Sequence, residues 1–170
     1  PINLRKRFYE LIDQQVHNVQ KGGAGTLFFK LNNLVDDDII SKLLWAAKEG
    51  VRIRLLVRGV CTLEPHDNIE IRSIIGRILE HSRIYAFGEG KEQYLYLGSA
   101  DLMTRNLDIR IEALTPIYDI ELREELLAYL DLQWSDNVNA RIIDGIHNNK
   151  HYTNDKPKVD SQMDVYEVLK

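Results

Sequence analysis

Apolar residues recur at helical spacing through Leu4, Phe8, Leu11, Ile12, Val16 and Val19, which predicts an amphipathic helix over residues 4–20. Asn3 stands where an N-cap belongs. Gly22-Gly23-Ala24-Gly25 closes this segment without the Lys-Ser/Thr of a P-loop, so it reads as a flexible connection. The run TLFFKL (26–31) is short, apolar and aromatic, the pattern of a buried strand. Asp36 is placed to cap a second helix with inner residues Ile39, Ile40, Leu43, Leu44 and Ala47, and Gly50 to stop it. VRIRLLV (51–57) is the next strand. Strand, helix and strand form a βαβ unit, which implies a right-handed parallel crossover.

Residues 64–68 (EPHDN) read as a loop and 69–73 as a short strand. Residues 74–80 are expected to be helical, with Ile74, Ile75 and Ile78 turned inward. Arg83 to Phe87 and Tyr94 to Gly98 predict a hairpin about Gly88-Glu89-Gly90. Residues 109–114 predict another strand, in which Ile109 and Ile111 alternate with Arg110 and Glu112. Over residues 119–134, Ile120, Leu122, Leu126, Leu127, Leu130 and Trp134 line one face of a long helix. Residues 137–144 are too few to type. Residues 146–158 are polar and expected to be mobile, and 161–169 allow one or two helical turns. The element order indicates an α/β domain with a mixed sheet over residues 1–145, followed by a polar tail at 146–170.

A chain of 170 residues is enough for one domain with a substantial core. Its 44% hydrophobic and 28% charged content is that of a globular protein. With a net charge of −4, nothing global draws the chain to nucleic acid, which is not an expected partner, and any polyanion must be held by a local basic cluster. A single cysteine, Cys61, excludes an internal disulfide and fits a reducing compartment; it reads as a small buried filler rather than a nucleophile. No apolar run approaches the roughly 18 residues of a membrane span, and no signal peptide is visible. A cytoplasmic location is expected, with peripheral membrane association left open. The start Pro-Ile-Asn-Leu, without methionine, fits a fragment of a longer polypeptide or a processed one.

Polar chemistry is concentrated between Leu79 and Glu112. His81 and Arg83 open a strand, Gly98-Ser99-Ala100-Asp101 returns beside them, and Arg105, Asn106, Asp108, Arg110 and Glu112 follow. That density predicts half of a phosphate-handling site. Arg58 follows a strand end, where ligands of open α/β sheets sit, although a surface arginine beside a turn glycine fits equally well. Lys30 and Asn32 leave the first strand on the same side. Ser99 and Asp101 are placed either to orient His81 or an arginine, or simply to make a turn; Glu112 is placed to pair with Arg110 or Arg105. His17 and His66 fall on a polar helix face and in a loop. His147 and His151 have i, i+4 spacing but no third ligand in view, so no metal site is expected there.

The pattern His81-x-Arg83, then Gly98-Ser99-Ala100-Asp101, then Asn106 and Glu112 resembles the phospholipase D superfamily signature of His-x-Lys, Gly-Ser-x-Asn and a later Glu. Arginine replaces its lysine, aspartate its asparagine, and the usual aspartate after the lysine is missing. KLNNLVD (30–36), LVRGVC (56–61), LEHSRIY (79–85), SADLMTRNLD (99–108) and IRIE (109–112) are similar to the C-terminal domain of bacterial polyphosphate kinases. The resemblance spans roughly residues 3–145. It implies a phospholipase-D-like mixed β-sheet flanked by helices on both faces. It also implies a part in reversible transfer of the ATP γ-phosphate to polyphosphate, through a phosphohistidine on a preceding domain absent here. By the same resemblance His81 is the catalytic second histidine, and Arg58 and Arg110 contact the nucleotide phosphates. Arg83, Ser99, Asp101, Arg105, Glu112, Lys30 and Asn32 are supporting candidates. Implied partners are ATP or ADP, polyphosphate, upstream domains of the same polypeptide and, at full length, further copies in a homo-oligomer. Mg²⁺ is expected with the nucleotide, although no carboxylate cluster identifies a protein ligand for it. The competing readings are a dimeric phosphodiesterase or nuclease and a non-catalytic polyanion-binding module.

Overall fold

The computed structural model describes residues 3–146 and 148–168. Seven strands, β1 (Thr26–Leu31), β2 (Arg52–Val57), β3 (Ile69–Ile74), β4 (Arg83–Phe87), β5 (Tyr94–Gly98), β6 (Leu114–Pro116) and β7 (Ala140–Ile142), form one sheet in the order β6-β5-β4-β1-β2-β3-β7. β1, β2 and β3 are parallel; β4, β5, β6 and β7 join antiparallel, so the sheet is mixed as expected. The helices are α1 (Leu4–Gln20), α2 (Asp37–Lys48), α3 (Ile120–Ser135) and α4 (Ser161–Val168).

Strand alternation sorts the core onto two faces. Leu27, Phe29, Leu31, Ile53, Leu55, Val57, Tyr85 and Phe87 pack with Phe8, Leu11, Ile12 and Val16 of α1 and with Ile39, Leu43 and Ala47 of α2. Phe8, Phe29, Tyr85 and Phe87 meet edge to face with centroids 4.9–6.0 Å apart, the arrangement their ring quadrupoles favour. On the other face Phe28, Leu56 and Ile74 meet Trp134, while Ile84, Ala86 and Leu95 meet Leu130.

Two junctions are fixed by charge. Asp36 caps α2 through the Ile39 N–H (3.1 Å) and accepts both terminal nitrogens of Arg5 (2.7 and 2.8 Å) and the Thr104 hydroxyl (2.7 Å). Arg5 also donates Nε to Asp108 (2.8 Å), which binds α1 to a single π-type turn at Arg105–Ile109. The Arg5 guanidinium and these hydrogen bonds hold the Asp36 carboxyl at about 2. Beside the edge strand β7, the Asp136 carboxylate accepts from the Val138, Asn139 and Ala140 N–H groups and from both the N–H and hydroxyl of Ser161, anchoring α4.

Several expectations need correction. Asn3 occupies the N-cap position of α1 but makes no side-chain capping bond. Residues 75–82 contain no helix: Ile74 is buried as the last residue of β3, whereas Ile75 is 61% exposed and Ile78 and Leu79 also face solvent. The predicted strand at 109–114 is mostly absent: the π-type turn ends at Ile109, β6 starts at Leu114, and Ile109 and Ile111 are 73% and 92% exposed. α3 forms as expected, yet Ile120 and Leu122 face outward and burial is concentrated at Leu130, Gln133 and Trp134. Residues 140–142, left untyped above, are the edge strand β7. Part of the polar stretch expected to be mobile pairs with β7: the Tyr152 N–H donates to the Ala140 carbonyl at 2.8 Å, and the Tyr152 ring covers the Arg72 guanidinium at 3.6 Å. His147, half of the i, i+4 histidine pair, and Leu169, the end of the expected terminal helix, lie outside the described residues.

Candidate active site

Strand register assembles the site. Leu31 lies opposite Val57, Lys30 opposite Ile84, Arg83 opposite Gly98, and Gly98 opposite Leu114. The exits of β1, β2 and β5 and the entries of β4 and β6 therefore share one end of the sheet. Asn32, Arg58, Arg83, Ser99 and Glu112 emerge there, far apart in sequence but adjacent in register.

Asp101 is the hub. Its carboxylate, buried in the turn after β5, accepts the Asn32 N–H (2.9 Å), Asn33 Nδ2 (2.9 Å) and Arg83 Nε (3.1 Å). Burial opposes its ionisation, but the Arg83 and Asn33 bonds outweigh it and the carboxyl lies below its ordinary range. Asn32 Oδ1 in turn accepts Arg58 Nε at 2.8 Å. Arg83 donates to the His81 carbonyl at 2.8 Å and lies 3.1 and 3.3 Å from the two imidazole nitrogens. Arg58, Asn32, Asp101, Arg83 and His81 thus form one connected string. Arg83 and Asp101, two departures from the phospholipase D pattern, are partners in an ion pair.

Glu112 organises the adjoining loop. It accepts the Ser99 hydroxyl and the Asn106 amide and lies 3.5 Å from Arg110 Nε. Burial acts against its charge, but those two bonds and the Arg110 and Arg83 charges hold its carboxyl below the ordinary value. Of the two pairings open to Glu112, it takes Arg110. Arg105 is exposed on the π-type turn, and its side chain makes no hydrogen bond or ion pair among the described residues.

Lys30 points from β1 toward α3 and is buried against Glu80 at 3.1 Å. Burial, together with the nearby Arg58 and Arg83 charges, lowers the ammonium pKa despite Glu80. Glu80 also accepts Gln133 Nε2 (2.6 Å), the Tyr129 hydroxyl (3.1 Å) and Gln162 Nε2 (3.0 Å). Burial raises its carboxyl, but Lys30 and the two amides bring it below its usual value. Burial and the Glu80 charge push Tyr129 up to about 12.

The carboxylates of this edge are thus consumed in holding cations, while the cations keep donors to spare. Arg58 and Arg110 each use only Nε, and their terminal nitrogens have no protein partner among the described residues. His81 is exposed at the same end of the strands, against Arg83. Guanidinium forks with free donors suit phosphate oxygens, which they bind bidentately while staying charged. Among the described residues no group of three or more His, Cys, Asp or Glu is placed to hold a metal ion, and no helix is long and apolar enough to cross a membrane.

Glu80, Asn33, Gln133 and Gln162 are structural members of this site that residue patterns did not reveal. Glu80 adjoins His81 but was placed at the end of a helix that does not form. Gln162 reaches it from 82 positions away, and no local signal marks that contact.

A family model described as "Polyphosphate kinase C-terminal domain 2" matches residues 1–162. The polyphosphate kinase of Salmonella typhimurium is 42% identical over 176 aligned residues, covering 100% of this chain and 26% of that protein. The crystal structure of polyphosphate kinase from Porphyromonas gingivalis superposes with a TM-score of 0.95 at 37% identity, over 98% of this chain and 26% of the other. Nuc from Salmonella typhimurium, a phospholipase D family member, shares the fold at a TM-score of 0.61 and 14% identity, over 83% of this chain and 91% of that one. The chain spans about a quarter of the length of the kinases it matches.

Proposed function

This chain belongs to the polyphosphate kinase C-terminal domain family, and we propose that, within a longer polypeptide, it supplies one half of an ATP:polyphosphate phosphotransferase site. The observation that carries this reading is the string from Arg58 to His81, with Arg110 at the same end of the strands and open guanidinium donors on both arginines. The transferring phosphoryl group spreads negative charge over three equatorial oxygens, so catalysis is chiefly positioning and charge stabilisation.

In this reading Arg58 and Arg110 grip the nucleotide phosphates. The bond between the γ-phosphorus and the β-phosphate oxygen breaks as a bond forms to a histidine nitrogen of the preceding domain; ADP keeps the electron pair. The phosphohistidine bond then breaks as the terminal oxygen of polyphosphate attacks phosphorus, and the sequence runs backward by the same steps. His81, held at its backbone by Arg83, stabilises the charge that grows on the departing oxygen. Magnesium would arrive with the nucleotide. Asp101 and Glu112 are already engaged by protein donors, so neither carboxylate is free to hold the ion.

The test is steady-state kinetics on the full-length enzyme. Arg58→Ala and Arg110→Ala should each raise KM for ATP by about 10- to 100-fold, the worth of a charge-assisted phosphate contact. His81→Ala should lower kcat, and the isolated 170 residues should not synthesise polyphosphate. Unchanged turnover in both arginine variants with weakened polyphosphate binding would instead mark a binding module. A pH–rate profile left unchanged by His81→Ala through the histidine range would assign His81 charge stabilisation rather than proton transfer.

A further inference from the structure

His81 is carried by a segment that does not hold itself. Residues 75–82 have no regular structure, and Ile75, Ile78 and Leu79 expose their side chains. Downstream, Arg83 fixes the His81 carbonyl. Upstream, Lys30, Tyr129 and Gln133 hold Glu80, and the restraint on Ile78 comes from α4. Gln162, buried at the start of that helix, uses its side-chain amide as though it were a strand edge: Oε1 accepts the Ile78 N–H at 3.0 Å and Nε2 donates to the Ile78 carbonyl at 2.7 Å. The same Nε2 reaches the Glu80 carboxylate at 3.0 Å. Gly76 makes room for this, since a Cβ there would fall 2.3 Å from Gln162 Oε1. Ser161, the preceding residue, is fastened to Asp136 by its N–H (2.9 Å) and hydroxyl (2.6 Å), so the amide is presented from a fixed base.

We propose that Gln162 is a positioning residue for His81: its paired bonds to Ile78 and its bond to Glu80 fix the segment that presents the imidazole to the phosphate site. The inference deepens the proposed function and rests on it. Gln162 touches neither nucleotide nor polyphosphate in this scheme; it sets where His81 stands. Displacement of a catalytic group by about 1 Å can cost on the order of 100-fold in rate. Loss of the Gln162 bonds, with Glu80 still held by Lys30, Tyr129 and Gln133, should cost roughly tenfold. Because the arginines are held independently through Asn32 and Glu112, nucleotide affinity should not follow.

The experiment uses the full-length enzyme with two readouts. Gln162→Ala should lower kcat roughly tenfold with KM for ATP unchanged, and hydrogen exchange over residues 76–82 should quicken. Exchange left at the wild-type rate, or quickened exchange with unaltered kcat, would overturn the proposal. A rise in KM for ATP equal to the loss in kcat would also overturn it, since that marks a general structural defect. If Gln162→Ala does not accumulate folded, a charge relocation decides. Q162E places two carboxylates together and should be more impaired than Q162E/E80Q, in which the new amide at position 80 can donate to the new carboxylate at position 162. Neither variant can donate to the Ile78 carbonyl, so only part of kcat should return in the double variant; a double variant no more active than Q162E would refute the contact. Absence of phosphate transfer by the wild-type enzyme would sink the proposed function, while the exchange measurement would still report whether Gln162 holds the segment.

Discussion

Beneath α1 and α2 the sheet offers one unbroken apolar layer, from Leu27 and Phe29 through Ile53 and Leu55 to Tyr85 and Phe87. Beneath α3 and α4 the apolar residues fall into two groups, one around Leu56 and Trp134 and one around Ile84 and Leu130. Lys30, in register between Leu56 and Ile84, lies at the division and faces Glu80. The two faces share the same strands, so propensity cannot explain the contrast. One face maximises burial. The other gives up apolar contact to seat a charged pair and three side-chain donors beside the segment carrying His81. The difference teaches that the segment carrying His81 is held by the side of the sheet that gives up apolar burial.

Removal of a large side chain from the unbroken face should produce the largest loss of stability. Phe8→Ala should lower unfolding free energy by about 4 kcal/mol in urea titration, from lost transfer energy and the cavity left among Phe29, Tyr85 and Phe87. KM for ATP of the enzyme that remains folded should not change. A large change in KM would show that the two faces are not separable.

The divided face should respond differently. Glu80→Ala strands the buried Lys30 ammonium and should cost about 3 kcal/mol, whereas replacing both partners with apolar residues, Lys30→Met with Glu80→Leu, should recover only the part due to the stranded charge, because the Gln133, Gln162 and Tyr129 donors still lack their acceptor. Turnover should stay low in both variants, because the Gln162 and Tyr129 bonds are lost with the carboxylate. Recovery of turnover along with stability would erase the proposed division of labour.

Acid should weaken the apolar side at its charged rim. The folded Asp36 carboxyl sits at about 2, below its unfolded value of about 3.9, so its contribution is fully present above roughly pH 4 and is lost as pH falls toward 2. The loss should approach about 2 kcal/mol, because the side chain is buried. Urea titrations between pH 2 and 7 on wild type and Asp36→Asn should show this loss in the former and a shallower one in the latter.

Arg58→Ala should have the smallest effect on stability, within about 0.5 kcal/mol, as expected for a half-buried side chain with a single bond to Asn32. Its effect should appear instead in KM for ATP. A stability cost above 2 kcal/mol would make Arg58 a structural arginine.

The elements that residue patterns revealed are those where period and burial agree. α1, α2, β1 and β2 carry clear 3.6- or near-continuous apolar patterns and bury them against each other. Patterns misled at Ile74–Glu80 and Ile109–Leu114, where Ile75, Ile78, Ile109 and Ile111 have helical or alternating spacing but face solvent. Spacing records which residues share a face; it does not record whether anything covers that face. For the candidate site, the gathering of Arg58, His81, Arg83, Asp101, Arg110 and Glu112 at one end of the strands was legible because strand ends and motif order place them there. The Glu80–Gln133–Gln162 group was not, because its contacts join the entry to β4 with α3 and α4 across 53 and 82 positions of sequence. Such pairings are set by tertiary packing alone.

Arg5 spans another long separation, with Asp36 on one side of its guanidinium and Asp108 on the other. The first turn of α1, the start of α2 and the turn carrying Arg105 therefore form a lever with Arg5 as its fulcrum. A tug on the front end of α1 is delivered, without passing through the sheet, to the loop that aims Arg110.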